Sequence, residues 1–527
     1  MARAAPRPTL VAVLLLGVSS VGLVPACSSQ TGGDGSGGSA PSSGGGPAAS
    51  GGTGGSTADT GGSASGAAAG VSYLKASNTG AGDLFGFSAT LSADGNTLVV
   101  GANSEASGTG ADQTDESAAK AGAAYVFARS AGSWQEQAYL KASSPSGGDA
   151  FGSTVALSAD GSTLAVGAPF EASASSGVDG DEDDDTEPSA GAVYVFVHNG
   201  IAWEQQAYLK ASAADADDFF GVSIALSADG SVLAVGAEGE DGSSSGINGD
   251  ESDKTAFESG AVYLFRRSGA AWQQADYIKA SNAGVGDHFG GAVSLSADGS
   301  LLAVGAYWED SAATGTGGNQ DDSVDSAGAV YLFGWGGSAW QQTTYLKGPS
   351  SHESDSFGTA VSLAADGQTL AVGAVGEADF TGAVHMFQKG DGGWAEVTSL
   401  TASNAGVADE FGYHLQLAAD GQTLAVGAAL EASKGPDSPS DDSAPEAGAA
   451  YVFRSDGGVW SEFALVKAPN AQAGDRFGWS VALAAQGETL VVGATREASA
   501  AMGIDGDQAD NTASRAGAVY VRELGAL

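Results

Sequence analysis

The chain has 527 residues, including 83 glycines, and only 16% of its residues are charged. Its formal net charge of −43 predicts repulsion from nucleic acid phosphates and anionic lipid headgroups, so we expect neither as a partner. The single cysteine, Cys27, excludes an intrachain disulfide framework and a cysteine-based metal site.

Residues 1–26 have the pattern of a secretory signal peptide. Arg3 and Arg7 precede an apolar run, Leu10 to Val18, that is too short for a stable transmembrane helix. The stretch LVPAC, which ends at Cys27, resembles the lipobox of bacterial lipoproteins and implies cleavage before Cys27 and lipid attachment to it. We therefore expect an exported bacterial lipoprotein at the outer membrane or cell surface, which meets the membrane only through this anchor. The alternative is an ordinary secretory signal with an incidental cysteine.

Residues 27–70 form a predicted tether. After Cys27 the chain consists almost wholly of Gly, Ser, Ala and Thr as far as Gly70, so it has nothing with which to bury a core, and we expect disorder. A flexible segment of this length would act as a spacer between a membrane anchor and a folded body.

Seven copies of one unit occupy residues 71–527. Each copy contains a Phe-Gly pair, and a Val-Gly-Ala glycine always follows sixteen residues after the phenylalanine. The phenylalanines are Phe85, Phe151, Phe220, Phe289, Phe357, Phe411 and Phe477. The spacing between copies varies from 54 to 69 residues, whereas this interval never varies. We therefore expect the interval to be rigid structure and the variation to lie in loops.

Within each unit the pattern predicts four strands. FGSTVALSADGSTLAVGA, from Phe151 to Ala168, contains two strands joined at Asp160-Gly161, which is a strong hairpin signal. The apolar run AGAVYVF, from Ala190 to Phe196, is typical of a third strand covered on both faces, and WEQQAYLKAS, from Trp203, is typical of a fourth. The unit is therefore predicted to be a four-stranded antiparallel meander.

Seven such sheets can bury both faces by packing on one another around a common axis, as in a β-propeller. The chain ends after the third strand of copy seven, and a spare fourth strand, SYLKAS, lies at Ser72–Ser77 before copy one. Pairing of these two segments would close the ring and remove an exposed edge. We predict an all-β protein, a seven-bladed β-propeller whose last blade is closed by the N-terminal strand, and we expect a monomer.

The unit resembles the FG-GAP repeat of integrin α-chain N-terminal propellers and their bacterial relatives. Phe151-Gly152 and Gly167-Ala168-Pro169 match its FG and GAP signatures. The resemblance implies adhesion or protein–protein contact through a binding face. In integrins a calcium loop lies between the FG and GAP strands of some blades. Here a tight SADG turn or a close variant occupies that place, so the family's calcium site is not carried over.

An acidic pair recurs at the same place in every copy. An Asp precedes each phenylalanine by two residues: Asp83, Asp149, Asp218, Asp287, Asp355, Asp409 and Asp475. A Glu follows each Val-Gly-Ala glycine by four residues: Glu105, Glu171, Glu240, Glu309, Glu377, Glu431 and Glu497. Six copies also have a Lys ten residues before the phenylalanine, which Thr401 replaces in the other copy. By strand direction all three meet at one rim, either as a ring of cation or ligand sites or, as their identical placement favours, as an ion-paired structural clasp.

Long acidic loops connect the second and third predicted strands. Three of them cluster oxygen atoms, the ligands that Ca²⁺ prefers. The candidate ligands are Asp179, Asp181 and Asp183 in copy two, Asn248, Asp250 and Asp253 in copy three, and Asp505, Asp507 and Asp510 in copy seven. The alternative, which we favour, is a solvated loop in which Asp and Asn serve the backbone turns. We expect no cofactor apart from calcium at these loops.

Two positions after each Val-Gly-Ala vary freely between copies at the same rim. Variation on a fixed scaffold is typical of a binding face. Tyr307 and Trp308 are the best anchor candidates, because aromatic residues dominate binding energy, and Phe170 and Arg496 are further candidates.

The sequence therefore predicts a protein that binds rather than catalyses. No catalytic residue is assigned, because the histidines do not recur in the unit and no nucleophile motif stands in a fitting context. The expected partner is an extracellular or envelope protein or a glycan. Two alternatives stay open: a structural cell-envelope protein without a specific ligand, and a hydrolase or lyase that acts on polysaccharide.

Overall fold

The computed structural model describes residues 70–108 and 112–525. The predicted signal peptide, the predicted lipid-attachment residue Cys27 and the predicted tether as far as residue 69 lie outside the described residues. Among the described residues, no helix has the length and apolar character needed to cross a bilayer.

Seven four-stranded antiparallel sheets account for the described body, one sheet per repeat. The chain begins with β1 (Val71–Leu74). Blade one contains β2 (Ser88–Leu91), β3 (Thr97–Ala102), β4 (Ala123–Ser130) and β5 (Ser133–Leu140). Blade two contains β6 (Thr154–Leu157), β7 (Thr163–Ala168), β8 (Ala192–His198) and β9 (Trp203–Leu209). Blade three contains β10 (Ser223–Leu226), β11 (Val232–Ala237), β12 (Ala261–Ser268) and β13 (Ala271–Ile278).

The remaining blades follow the same order. Blade four contains β14 (Phe289–Leu295), β15 (Leu301–Ala306), β16 (Ala329–Trp335) and β17 (Trp340–Leu346). Blade five contains β18 (Phe357–Leu363), β19 (Thr369–Ala374), β20 (Ala383–Gly390) and β21 (Gly393–Leu400), with a short helical segment (Glu377–Phe380) after β19. Blade six contains β22 (Leu415–Leu417), β23 (Thr423–Ala428), β24 (Ala449–Asp456) and β25 (Val459–Val466). Blade seven contains β26 (Phe477–Leu483), β27 (Thr489–Ala494) and β28 (Ala518–Glu523).

The first strand of the chain completes the last blade. β1 pairs antiparallel with β28, so that Tyr73 lies opposite Tyr520, and the sheet order is β1-β28-β27-β26. Tyr73 and Leu74 are fully buried there. The predicted seven-bladed β-propeller with a shared last blade is therefore confirmed.

The hydrophobic core lies between the blades. It consists of seven clusters, each built from apolar residues of two neighbouring blades, and the last cluster joins blade seven to blade one. A third strand such as β8 is apolar on both faces because a blade packs on each side of it. Burial of this kind explains why the predicted third strands do not alternate between apolar and polar residues.

Two glycines of each repeat allow the blades to approach. At the joint between blades seven and one, Gly86 of the Phe-Gly pair has φ of +90°, which favours glycine. A Cβ atom on Gly493 would lie 2.2 Å from the carbonyl oxygen of Gly86. The same close approach recurs at every joint, so both motif glycines are required by the contact between blades.

The ring has two chemically different ends. The first strands of neighbouring blades contact one another round the ring, so they line the axis. The lower end carries the turns between strands one and two and between strands three and four. At this end, backbone hydrogen bonds join each blade to the next. The Ala93 N–H of blade one donates to the Ala159 carbonyl of blade two at 2.9 Å, and the Ala485 N–H of blade seven donates to the Ala93 carbonyl at 3.1 Å, which closes the series. The upper end carries the loops between strands two and three and the connections between blades.

Candidate functional site

Buried lysine–glutamate pairs occupy the upper end of six blades. Each Lys follows the fourth strand of its blade, and its Nζ lies 2.5 to 3.0 Å from an Oε of the Glu that follows the second strand. The pairs are Lys75–Glu497, Lys141–Glu105, Lys210–Glu171, Lys279–Glu240, Lys347–Glu309 and Lys467–Glu431. Burial lowers the pKa of each lysine, against the raising effect of its glutamate. Each pair ties the outermost strand to the second strand.

The aspartates of the acidic pair serve the connections between blades. Each carboxylate accepts the backbone N–H of the residue three positions before it, at 2.6 to 2.9 Å, and so closes a turn. They are Asp83, Asp149, Asp218, Asp287, Asp355, Asp409 and Asp475. Burial raises the pKa of all seven. It reaches about 7 for Asp83, Asp149, Asp218, Asp287 and Asp475. In this geometry the Asp holds the turn, while the Glu and Lys join two strands.

An asparagine links four of these glutamates to the preceding blade. In blade one, Asn78 donates to Glu105 at 2.9 Å, and the Tyr125 hydroxyl donates to Asn78 at 2.5 Å. Equivalent asparagines in blades four, six and seven are Asn282, Asn404 and Asn470. Each of these glutamates therefore contacts both the connection that enters its blade and the lysine on the connection that leaves it.

Blades two and three lack this asparagine. Ser144 and Ala213 take its place, and within the part of the chain that the structure describes the buried hydroxyls of Tyr194 and Tyr263 have no hydrogen-bond partner. In blade three, Lys254 lies 3.5 Å from Glu240. Glu240 thus has a second cation close to it.

The predicted calcium ligands make hydrogen bonds to protein groups within their loops and on the segments next to them. The first residue of each set has positive φ, and its side-chain oxygen accepts a backbone N–H of the adjacent outer strand at 2.9 to 3.0 Å. These residues are Asp179, Asn248 and Asp505. The second residue caps the backbone two positions later, as Asp181, Asp250 and Asp507 do.

The third residues of the sets bond to hydroxyl groups. They are Asp183, Asp253 and Asp510, whose partners include Ser144, Thr255 and Thr512. Within residues 70–108 and 112–525, no group of three or more His, Cys, Asp or Glu side chains is arranged to hold a metal ion. The loops fold against the outer strands, so the structure does not bring each predicted set together around one point.

Three aromatic residues from three blades meet at the axis of the upper end; we call them the axial cluster. Each follows a Phe-Gly pair. The Trp479 ring lies 5.5 Å from that of Phe87 and 5.3 Å from that of Tyr413, measured between centroids. Trp479 is 9% exposed, and the other two are half-buried. The planes of Phe87 and Tyr413 are inclined to that of Trp479 by 48° and 49°, so the three rings form a tilted apolar cluster whose accessible part belongs mainly to Phe87 and Tyr413.

A glutamate and a tyrosine lie near the axial cluster. The Tyr307 hydroxyl donates to Glu238 at 2.9 Å across the joint between blades four and three. Gly291 makes room for this contact, because a Cβ there would lie 2.4 Å from the Tyr307 ring. Burial raises the pKa of Glu238 to about 7, although the Tyr307 hydrogen bond lowers it.

The four predicted ligand-contact residues lie at the upper end but in three separate places. Tyr307 stacks on His288 with ring centroids 5.4 Å apart, and Trp308 meets the same ring edge-on at 4.6 Å. Phe170 packs edge-on against Phe219 at 5.7 Å. Arg496 lies in blade seven, where its Nη1 is 3.6 Å from Glu446.

Residues that the sequence prediction missed surround Arg496. Arg476 and Arg515 lie in the same blade, and we call the three residues the arginine cluster. Arg476 contacts Glu446 at 2.9 Å and lies 5.6 Å from the centre of the Trp479 ring. Burial and the charges of Arg476 and Arg515 lower the pKa of Arg496 to about 10. Variation between copies was the available signal: at the positions next to each Phe-Gly pair for Arg476 and the axial cluster, and at the position before the third strand for Arg515.

Six segments of the chain match the model of the FG-GAP repeat: residues 70–127, 134–196, 203–265, 272–333, 394–453 and 460–522. Together they span well over half of the chain. The chain belongs to the FG-GAP repeat family. This family and its fold indicate a recognition or binding role for the FG-GAP propeller.

Solved structures offer distant similarities. A putative 6-phosphogluconolactonase from Bacteroides uniformis is 10% identical, with a TM-score of 0.43, 72% of this chain covered and 85% of that chain. A chain of a mitotic checkpoint complex is 12% identical, with a TM-score of 0.45, 86% of this chain covered and 93% of that chain. The comparison with curated proteins found no match.

The segment between residues 333 and 394, which the FG-GAP matches leave out, contains the first three strands of blade five, the blade with the altered clasp. Thr401 replaces the lysine of blade five, and His385 replaces the tyrosine of its third strand. The His385 ring nitrogens lie 2.8 Å from Glu377 and 2.9 Å from Glu396. Burial lowers the pKa of His385, but these two carboxylates outweigh it and raise the pKa to about 9. The histidine supplies the cation that the lysine supplies elsewhere.

Restoring the usual pair in blade five of the FG-GAP propeller should remove a pH-dependent contribution to stability. The His385 pKa of about 9 exceeds the value of about 6.5 expected in the unfolded chain. Its stabilisation is therefore complete below about pH 6.5 and is lost as pH rises through about 9. Between about pH 6 and about pH 10, wild type should lose roughly 3 kcal/mol more stability than the His385→Tyr/Thr401→Lys variant, measured by denaturant unfolding.

The buried aspartates titrate in both proteins and therefore cancel in the difference between the two curves. The lysine introduced at position 401 would have a lowered pKa like its equivalents, so its effect rises with pH and cannot imitate the loss from His385. The single His385→Tyr variant is the control, because it leaves Glu377 without its cation and should be the less stable protein at neutral pH. Parallel curves for wild type and the double variant would contradict the assignment.

Proposed function

We propose that this propeller is an exported, membrane-tethered recognition module that binds a glycan with the axial part of its upper end. The export and the tether rest on the signal-peptide pattern and on Cys27. The recognition role is supported by the FG-GAP family and by the separation of fixed and variable positions. Buried pairs, motif glycines and blade cores repeat from copy to copy, whereas the residues next to the Phe-Gly and Val-Gly-Ala motifs differ at the axis.

The axial cluster is the observation that carries this proposal. Phe87, Tyr413 and Trp479 come from blades one, six and seven, so no single blade needs them for its own core. The half-buried rings of Phe87 and Tyr413, packed on Trp479 at the upper end of the axis, offer apolar faces against which a sugar ring can pack. A few polar groups close to such a surface, here Glu238 and the arginine cluster, provide orientation and specificity.

Replacing Tyr413 with alanine should weaken glycan binding about tenfold or more, because truncating a central aromatic anchor removes a large share of the binding energy. Binding of the purified protein to an array of neutral and acidic oligosaccharides is the measurement. The matched control is Ile201→Ser, at a residue 92% exposed in a turn at the lower end. Equal loss in both variants, or no bound oligosaccharide for wild type, would contradict the proposal and favour a structural envelope protein.

A second candidate is cleavage of polysaccharide, which the buried Glu238 favours. A carboxyl group with a pKa near 7 beside a tyrosine hydroxyl can act as a general acid. The same array experiment distinguishes the two candidates when its products are analysed by mass spectrometry. Cleavage that Glu238→Gln abolishes would replace the binding proposal with a hydrolase or lyase.

A further inference from the structure

The arginine cluster brings together three positions of one repeat. Arg476 precedes the Phe-Gly pair of blade seven, Arg496 follows its Val-Gly-Ala motif, and Arg515 precedes β28. None of the equivalent positions in the other six blades holds arginine. Backbone hydrogen bonds fix the three positions: the Arg476 N–H donates to the Glu446 carbonyl at 2.9 Å, the Arg496 N–H to the Asp475 carbonyl at 3.1 Å, and the Arg515 carbonyl accepts from the Leu84 N–H at 3.2 Å.

The cluster is a concentration of positive charge on an acidic protein. The chain has 20 lysines and arginines against 63 aspartates and glutamates, and six of the lysines are used in the buried pairs. Arg476 and Arg496 share one carboxylate, that of Glu446, and their side chains are 17% and 14% exposed. Mutual repulsion between half-buried guanidinium groups is relieved when an anion binds among them.

The surroundings of the cluster restrict the kind of anion. The Arg476 guanidinium lies 5.6 Å from the centre of the Trp479 ring, so this member of the arginine cluster adjoins the axial cluster. Glu446 and Glu410, from blade six, also lie close to Arg476 and would repel an extended acidic surface. An isolated carboxylate attached to a sugar ring fits this arrangement, because guanidinium groups bind carboxylates in a planar fork and the C–H face of the sugar ring can pack on the aromatic residues.

We propose that the arginine cluster binds the carboxylate of an acidic sugar, such as a uronic acid, whose ring packs against the axial cluster. This inference rests on the proposed glycan-binding function. In this proposal, the charged group of the ligand binds to blade seven at the upper end of the propeller.

The test compares a short oligogalacturonate with its carboxyl-reduced, neutral form by isothermal titration calorimetry on the full-length protein. We expect the acidic sugar to bind at least about tenfold more tightly. The Arg476→Gln/Arg496→Gln variant should lose about ten- to a hundredfold of that binding, because two charge-assisted contacts are removed. The control is Arg522→Gln, an exposed arginine near the far end of β28 in the same blade, which changes charge without touching the cluster.

A variant that is expected to bind more tightly is also needed, because misfolding can weaken binding but cannot strengthen it. Glu446→Gln removes the carboxylate that competes for Arg476 and Arg496, so the acidic sugar should bind several-fold more tightly, and weaker binding would overturn the inference. Equal binding of the two sugars would overturn it and leave the glycan proposal standing. Binding of neither sugar would also overturn it, and the oligosaccharide array then decides the proposed function separately. Tighter binding of an oligoglutamate peptide of equal charge would overturn the choice of a sugar.

Discussion

Deletion of residues 71–77 should open the propeller and make it associate through its exposed edge. The variant loses β1, so β28 presents unpaired backbone groups, as any edge strand does. It also loses two fully buried side chains, Tyr73 and Leu74, and leaves Glu497 without Lys75. Apolar burial of about 2 kcal/mol for each of the two side chains and about 3–5 kcal/mol for the broken buried pair predict a loss of at least about 7 kcal/mol.

Thermal unfolding together with light scattering after size-exclusion chromatography measures this effect. A matched deletion of the predicted tether, residues 28–69, keeps β1 and should leave both the midpoint and the mass per particle as in the otherwise identical protein. A synthetic peptide of sequence VSYLKAS should restore the midpoint of the β1 deletion, because strand addition to a sheet edge can occur between chains. A monomeric deletion variant with an unchanged midpoint would contradict the closure mechanism.

Replacing Lys347 with methionine should destabilise the protein by about 3–5 kcal/mol, because Glu309 then remains as a buried charge without its cation. Both side chains are almost completely inaccessible, with 0% and 1% exposure, so solvent cannot take over the role of the lysine. Lys279→Met in blade three is the internal comparison. It should cost less, because Lys254 still lies 3.5 Å from Glu240.

Denaturant unfolding of the two variants, with and without millimolar calcium, also distinguishes the two interpretations of the repeated glutamates, as a structural clasp or as cation sites. If the glutamates serve as a structural clasp, the Lys347→Met variant stays destabilised whether or not calcium is present. If they form cation sites, calcium should replace the lost ammonium group and raise the stability of the variant. Recovery of stability by calcium would therefore contradict the clasp and favour the cation-site interpretation.

The blade number and the closure could be predicted because both depend on local signals. Hydrophobic runs, Asp-Gly turns and a fixed interval mark the strands, and a spare strand near Tyr73 marks the shared blade. The cation of blade five could not be predicted in the same way. His385 lies on the third strand at a tyrosine position, and only the fold brings its ring within 2.8 Å of Glu377.

The axial cluster could not be predicted from the sequence either, because its residues are brought together from different blades. Phe87 and Tyr413 belong to different blades and stand far apart in the chain, although both contact Trp479. Variation between copies could mark each of these positions separately. Their meeting depends on the curvature that places the first strands around one axis, which no single repeat encodes. The sequence left two interpretations of the acidic loops open, because it does not show how the loops fold. In the structure they fold against the outer strands through hydrogen bonds such as that from the Tyr208 N–H to the Asp179 carboxylate.

The pairing of β1 with β28 also settles where the chain joins the disc. Val71 lies opposite Arg522, at the end of β28 that is remote from the loop before it. Val71, the first residue of β1, therefore lies at the lower end of the propeller, away from Arg476 and Tyr413 at the upper end.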